Sequence, residues 1–191
     1  MRITGGSARG HSLATPKSGE TNIRPTSDRT REALFNILGN RLCDGLVLDL
    51  FAGTGSLGIE ALSRGARQAV FIDRSRTALT LIHKNISRCF SKPAAALYQM
   101  NLARTGALRS LQRKLPADIL FHFIFIDPPY EKKLAEKTLQ MVEKAGILHK
   151  EGQVIIEERK TVQLPENYGR LQLTDQRQYG ETGLWFYSSL P

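Results

Sequence analysis

Leu46-Val47-Leu48-Asp49-Leu50-Phe51-Ala52-Gly53-Thr54-Gly55-Ser56-Leu57-Gly58 is the stretch that decides the fold. A short apolar run ends in a glycine cluster, and a helical pattern follows through about Arg64, closed by Gly65. A run without polar alternation belongs to a strand covered on both faces, the habit of parallel sheets. The same unit repeats downstream. Strands are expected over 69–73, 96–100, 119–126 and 153–157, with helices over 75–89, 102–115 and 133–145 between them. The first of these helices carries Leu79, Ile82 and Ile86 on one face, and the second carries Leu108, Leu111 and Leu115. Segments 171–179 and 184–188, joined by Gly180-Glu181-Thr182-Gly183, read as an antiparallel hairpin. The expected fold is α/β, a Rossmann-like open and mostly parallel sheet.

Upstream of the glycine stretch, Arg2-Ile3-Thr4 and His11-Ser12-Leu13 are expected to pair around a glycine-containing turn. Residues 1–26 are thus read as a basic arm or hairpin outside the main core, and 27–191 as the main domain. Thr26, Ser27 and Asp28 are N-cap candidates for a helix carrying Leu34, Ile37, Leu38 and Leu42.

The 191 residues are 41% hydrophobic and 24% charged, an ordinary globular composition. The greasiest run, 119–126, is far too short to span a bilayer, and Met1-Arg2-Ile3-Thr4-Gly5-Gly6 is no apolar signal region. A soluble cytoplasmic protein is expected. Cys43 and Cys89 are the two cysteines, and His11, His83, His122 and His149 are scattered, so neither a disulfide framework nor a metal site is indicated. Nothing demands a dimer. The formal net charge is +9, and the span from Arg74 to Lys114 holds nine basic residues and no acid. Such a face suits phosphate backbones and points to nucleic acid.

Gly53, Gly55 and Gly58 have the G-x-G-x-x-G spacing of dinucleotide loops, and Asp73 ends the next strand where an acid accepts hydrogen bonds from ribose hydroxyls. On that ground NAD and S-adenosylmethionine both fit. Asp49 favours the second: a carboxylate repels a pyrophosphate but attracts an ammonium or sulfonium. Its alternative reading is a cap on the loop backbone. Asn101, after the third strand, suits an adenine edge or a helix N-cap equally.

Phe125-Ile126-Asp127-Pro128-Pro129-Tyr130 follows the most apolar strand. Two prolines fix φ and end the ladder, making a rigid corner at the ligand edge of the sheet. Asp127 and the Pro128 carbonyl offer two acceptors for the two N–H groups of an exocyclic amine, and Tyr130 offers a ring for an extruded base. Asp-x-Phe-x-Gly-x-Gly with Asp-Pro-Pro-Tyr resembles the paired signature of class I amino-methyltransferases that use S-adenosylmethionine. Arg2-Ile3-Thr4-Gly5-Gly6, Arg24-Pro25-Thr26, Arg31-Glu32-Ala33-Leu34-Phe35 and Gly180-Glu181-Thr182-Gly183 extend the resemblance to the RsmD family, nearly end to end.

The resemblance implies a seven-stranded sheet of order 3-2-1-4-5-7-6. It also implies methyl transfer to the N2 of a guanine in 16S ribosomal RNA, with the assembled small subunit as partner. Asp49, Phe51, Gly53 and Gly55 are expected at the methionine end of the cofactor, Asp73 at its ribose and Asn101 at its adenine. Many relatives of the methyltransferase superfamily carry Asp at the Asn101 position. Asp127, Pro128 and Tyr130 are expected at the target base. Arg2, Arg9, Arg24, Arg29 and Arg31 are expected on RNA phosphates, with Arg29 and Arg31 alternatively anchoring the helix they start. Competing readings are a DNA or RNA adenine-N6 methyltransferase and a non-catalytic RNA-binding module. A protein-glutamine methyltransferase typically has Asn in place of Asp127, and an NAD oxidoreductase would bind nicotinamide.

Overall fold

The computed structural model describes residues 1–16, 28–129 and 133–190. The chain enters through α1 (Asp28–Leu38), which runs into a 3-10 turn over Gly39–Leu42. The alternating core follows as β1 (Leu46–Leu50), α2 (Ser56–Ser63), β2 (Gln68–Asp73), α3 (Arg76–Cys89), β3 (Ala95–Gln99), α4 (Ala107–Gln112), β4 (Phe121–Ile126), α5 (Leu134–Ala145) and β5 (Leu148–Arg159). The chain then turns back through β6 (Asn167–Tyr168), β7 (Leu171–Tyr179) and β8 (Thr182–Ser189). Among the described residues eight strands form one sheet, ordered β3-β2-β1-β4-β5-β8-β7-β6. β3 to β5 are parallel, and β8, β7 and β6 are antiparallel additions. The expected seven-strand order is present, with β7 and β8 as its last two strands. The eighth, β6, is two residues folded back on Leu171 and Gln172, too short to leave a periodic signal.

Alternate residues of the strands feed two cores. Val47, Phe71, Phe125 and Ile155 pack beneath α1, α2 and α3. Leu48, Ile72, Ile126 and Ile156 pack beneath α4 and α5. Close helix–strand approach is why Gly58 is glycine: a Cβ there would lie 2.3 Å from the Phe71 ring. Helix α3 starts where Ser75 caps it, its hydroxyl accepting the Ala78 N–H. Helix α4 is shorter than the expected 102–115. Asn101 Oδ1 accepts the Ala103 N–H at 3.0 Å, and Gly106 sits at φ +79°, so a turn occupies the first residues and helix begins at Ala107.

The N-terminal hairpin exists, with Arg2 bridged to Ser12, but it is not outside the core. Ile3, Ala8 and Leu13 are buried in the same cluster as α1 to α3. Its tip caps the end of α2, where the Ser63 carbonyl accepts the Ser7 N–H at 2.7 Å and Ser63 Oγ accepts the Ala8 N–H at 2.9 Å. Gly6, at φ +76°, comes so near that a Cβ would collide with the Ser63 carbonyl.

Ladder register sets the site. Leu50 pairs with Ile72 on one side and with Ile126 on the other. Asp73 and Asp127 each follow by one residue, so both reach the carboxyl rim of the sheet at the level where β1 breaks into the glycine loop. Among the described residues no helix is long and apolar enough to cross a membrane.

Candidate active site

The loop after β1 holds its shape with its own amides. Phe51, Gly53 and Gly55 all have positive φ, and Gly55 closes a turn by donating its N–H to the Ala52 carbonyl at 2.6 Å. The Gly53 N–H donates to Asp73 Oδ2 at 2.9 Å, and the Gly58 N–H to Asp49 Oδ2 at 2.9 Å. Asp73 Oδ1 accepts the Ser75 N–H at 2.8 Å. Two amides of the loop and one in the first turn of α2 are therefore committed inside the protein, whereas a pyrophosphate cradle turns such amides outward to the anion. Asp49 does brace the loop, as its alternative reading held. The bond occupies one oxygen and leaves the other without a hydrogen bond to the loop.

That charge is perturbed. Asp49 is 2% exposed, and its carboxyl is pushed up to about 7. Burial is the largest cause; the Gly58 hydrogen bond opposes it, and the charges of Asp127 and Asp73 add to it. Asp73 and Asp127, both within electrostatic reach of Asp49, make with it a rim that repels phosphate and stabilises a cation. S-adenosylmethionine, with an ammonium, a sulfonium and no phosphate, fits this donor set, and NAD does not. Each carboxylate oxygen of Asp73 holds one N–H and keeps further acceptor capacity for a ribose hydroxyl.

Asp127 is half-buried, with its N–H 3.4 Å from the Leu50 carbonyl, which ends the β1–β4 ladder. Pro128 is buried and Pro129 exposed, so the double-proline corner packs on one side only. Tyr130 and Arg24 lie outside the described residues. Asn101 is exposed and closes the turn before α4; the N-cap of that helix is Gly106, not Asn101.

The arm's basic residues divide. Arg2, Arg9 and Arg29 are exposed. Arg31 is not available to a phosphate as expected, because its side chain is 0% exposed and committed inside. It pairs with Glu60 at 3.4 Å and Asp28 at 3.0 Å, and donates to the Arg2 carbonyl. This anchoring role was its alternative reading.

Glu60 was not singled out from the sequence, yet it organises this side of the molecule. Fully buried on α2, it accepts the Thr4 N–H (2.8 Å), the Thr4 hydroxyl (2.7 Å), the Gly5 N–H (2.8 Å) and Arg64 Nε (2.9 Å) as well as Arg31. The signal for it was a lone acid in a helix of Leu57, Ile59 and Ala61. Asn85, fully buried on α3, was missed for the same reason: polar residues at helical spacing look solvated.

The family described as Conserved hypothetical protein 95 matches residues 1–188. The chain is 36% identical over 187 residues to "Putative rRNA methyltransferase YlbH" of Bacillus subtilis, covering 98% of each. It is 36% identical over 166 residues to "Ribosomal RNA small subunit methyltransferase D" of Escherichia coli K12, covering 86% of this chain and 78% of the relative. Among solved structures it is similar to "Putative methyltransferase yhhF from Escherichia coli", with a TM-score of 0.82, 31% identity and coverage of 100% and 98%. A match over almost the whole chain, joined to the glycine loop, the acidic rim and the double-proline corner, means that the chain belongs to the Conserved hypothetical protein 95 family, the RsmD family of class I S-adenosylmethionine-dependent methyltransferases.

Proposed function

We propose that the protein methylates the exocyclic N2 of one guanine in 16S ribosomal RNA, with the small ribosomal subunit as partner, acting as a cytoplasmic monomer without a metal. S-adenosylmethionine, when bound, supplies an electrophilic methyl group. The observation that carries the reading is the meeting of Asp49, Asp73 and Asp127 around a loop whose amides are committed to its own shape. Ribosomal RNA as the substrate class is supported by the names of the relatives in Bacillus subtilis and Escherichia coli. Guanine N2 is supported by the family resemblance.

In this reading Asp49, Phe51, Gly53 and Gly55 hold the cationic methionine end, Asp73 the ribose and Asn101 the adenine edge. The Asp127 carboxylate and the Pro128 carbonyl accept both N–H groups of the target amine and so turn its nitrogen toward the donor. Tyr130 stacks on the base. Arg2, Arg9, Arg24 and Arg29 contact phosphates. Asp127 orients rather than abstracts: nitrogen would gain its fourth bond as the methyl–sulfur bond breaks with its electron pair left on sulfur, and the amine's proton, acidic only then, would pass to water. Positioning is therefore the main contribution to rate.

Mass mapping of methylated nucleosides in 16S RNA tests it. Loss of the gene should remove N2-methylation from one guanine, the wild-type gene should restore it, and Asp127→Ala should not. An unchanged 16S pattern, or methyl lost from adenine N6 or from DNA instead, would overturn the assignment.

A further inference from the structure

An amide as deeply buried as Asn85 persists when its hydrogen bonds are made, and these reach two separate segments. Nδ2 donates to the carbonyls of Thr54 and Ala14, each at 3.0 Å, and Oδ1 accepts the Ala14 N–H at 2.8 Å. Thr54 lies between the two glycines of the cofactor loop. Ala14 follows Leu13, the last buried residue of the N-terminal hairpin. The Thr54 carbonyl and the Gly55 N–H belong to one planar peptide unit. That plane is gripped at both ends, by Asn85 at its oxygen and by the Ala52 carbonyl at its N–H. One turn earlier on α3, Ile82 packs beneath Gly55, where a Cβ would come within 3.1 Å. Helix α3 thus supports the loop twice, by packing and by hydrogen bonding.

We propose that Asn85 is a positioning residue for the methyl donor: one side chain clamps the Thr54–Gly55 peptide plane and the end of the N-terminal hairpin, tying the binding shape of the loop to the docking of the hairpin. The proposal rests on the loop being the donor site. Losing a buried hydrogen bond that shapes a site costs roughly three- to tenfold in affinity.

Calorimetric titration with adenosylhomocysteine tests it in Asn85→Leu, and in Asn85→Ser, which leaves room for a bridging water and guards against failure to fold. Ile86→Val, a core truncation at the next residue, is the control that loosens α3 without touching the loop. Both Asn85 variants should bind about three- to tenfold more weakly, with Ile86→Val within about twofold of wild type. Amide exchange at Gly55 and at Ala14 should quicken together in the Asn85 variants. Wild-type affinity in a folded Asn85 variant, or an equal loss in Ile86→Val, overturns the proposal. Failure of the wild-type chain to bind adenosylhomocysteine overturns the donor site itself, and this role with it.

Discussion

Affinity for S-adenosylmethionine should rise steeply with pH between 5.5 and 7, because Asp49 must be ionised to hold a cation. With its carboxyl at about 7 in the free protein, the ionised fraction climbs from about 3% at pH 5.5 to about half at pH 7. A bound ammonium or sulfonium keeps the group charged, so affinity should increase about fifteenfold over that interval. Below pH 7 the ligand's own α-amine stays protonated, which keeps the slope attributable to the protein. The assay is calorimetry in buffers of different ionisation enthalpy, which also counts the protons released: about half a proton per site at pH 7. Asp49→Asn retains an oxygen for the Gly58 N–H but should bind weakly and with a flat pH profile. Stability gives an independent reading. The folded carboxyl lies above its ordinary value of 3.8, so the folded chain retains a proton that the unfolded chain releases, and Asp49 lowers stability as pH rises from about 4 to about 7. Asp49→Asn should therefore raise Tm at pH 8 and not at pH 4. A wild-type affinity that changes less than twofold, or an Asn variant that keeps the slope, refutes the reasoning.

Asp127→Ala should cut turnover by about two orders of magnitude or more, measured with saturating donor, while adenosylhomocysteine affinity stays near wild type. Gly58→Ala places a methyl against the Phe71 ring and should cost about 1 to 3 kcal/mol in chemical denaturation; an unchanged midpoint would mean that α2 shifts freely. Lys84→Gln with Arg88→Gln, both exposed on the acid-free face of α3, should flatten the salt dependence of RNA binding by roughly one unit for each phosphate no longer neutralised. A slope equal to wild type would remove that face from the RNA footprint. His122 accepts the Leu46 N–H through Nδ1 and stacks on His149 at 4.4 Å, and burial, then His149 and Arg67, lowers its affinity for protons. Its contribution to stability should therefore be lost as pH falls below about 6.5, seen as a Tm decline that His122→Gln flattens.

The parallel core was legible because its signal is local: apolar runs of five or six residues, each ending in a turn, give the strands, and their repetition gives the layers. The rim was legible for the same reason, since Asp49, Asp73 and Asp127 each close or follow such a run. What the sequence hid was long-range. Ile3, Ala8 and Leu13 are isolated apolar residues in a polar segment and show no period, so a segment that docks on α2 and α3 reads as a loose arm. Glu60 and Asn85 look like solvated helix positions until the hairpin is laid over them. Arg31 shows the limit of charge reading: an arginine at a helix start carries the same letter whether it faces phosphate or a buried glutamate. The start of α4 was misplaced because Asn101 bonds the backbone two residues on, a choice that helical spacing of Leu108 and Leu111 cannot reveal.

In the proposed function, opposite signs of charge on the outer surface and at the rim would decide what enters the site. The chain as a whole carries +9, and the exposed cations of α3 and the hairpin present it to the surroundings. The rim carries the opposite sign: Asp73 and Asp127 lie close enough to Asp49 that their charges add to the effect of burial in raising its proton affinity. Fields from exposed charges decay over about 8 Å at physiological salt, so a phosphate backbone is attracted to the outer surface and repelled where the carboxylates lie. A nucleic acid can satisfy both only by leaving its phosphates outside and sending in an uncharged part, the base. In the proposed reading, acceptors at the double-proline corner would then select bases with an N–H to offer, and the same negative rim would retain a cationic donor. On this reading the electrostatics of the scaffold would favour extrusion of a single base before any base-specific contact is made. Replacing rim carboxylates with amides should therefore weaken discrimination between base and backbone as well as donor binding, which would show as tighter but unproductive RNA binding.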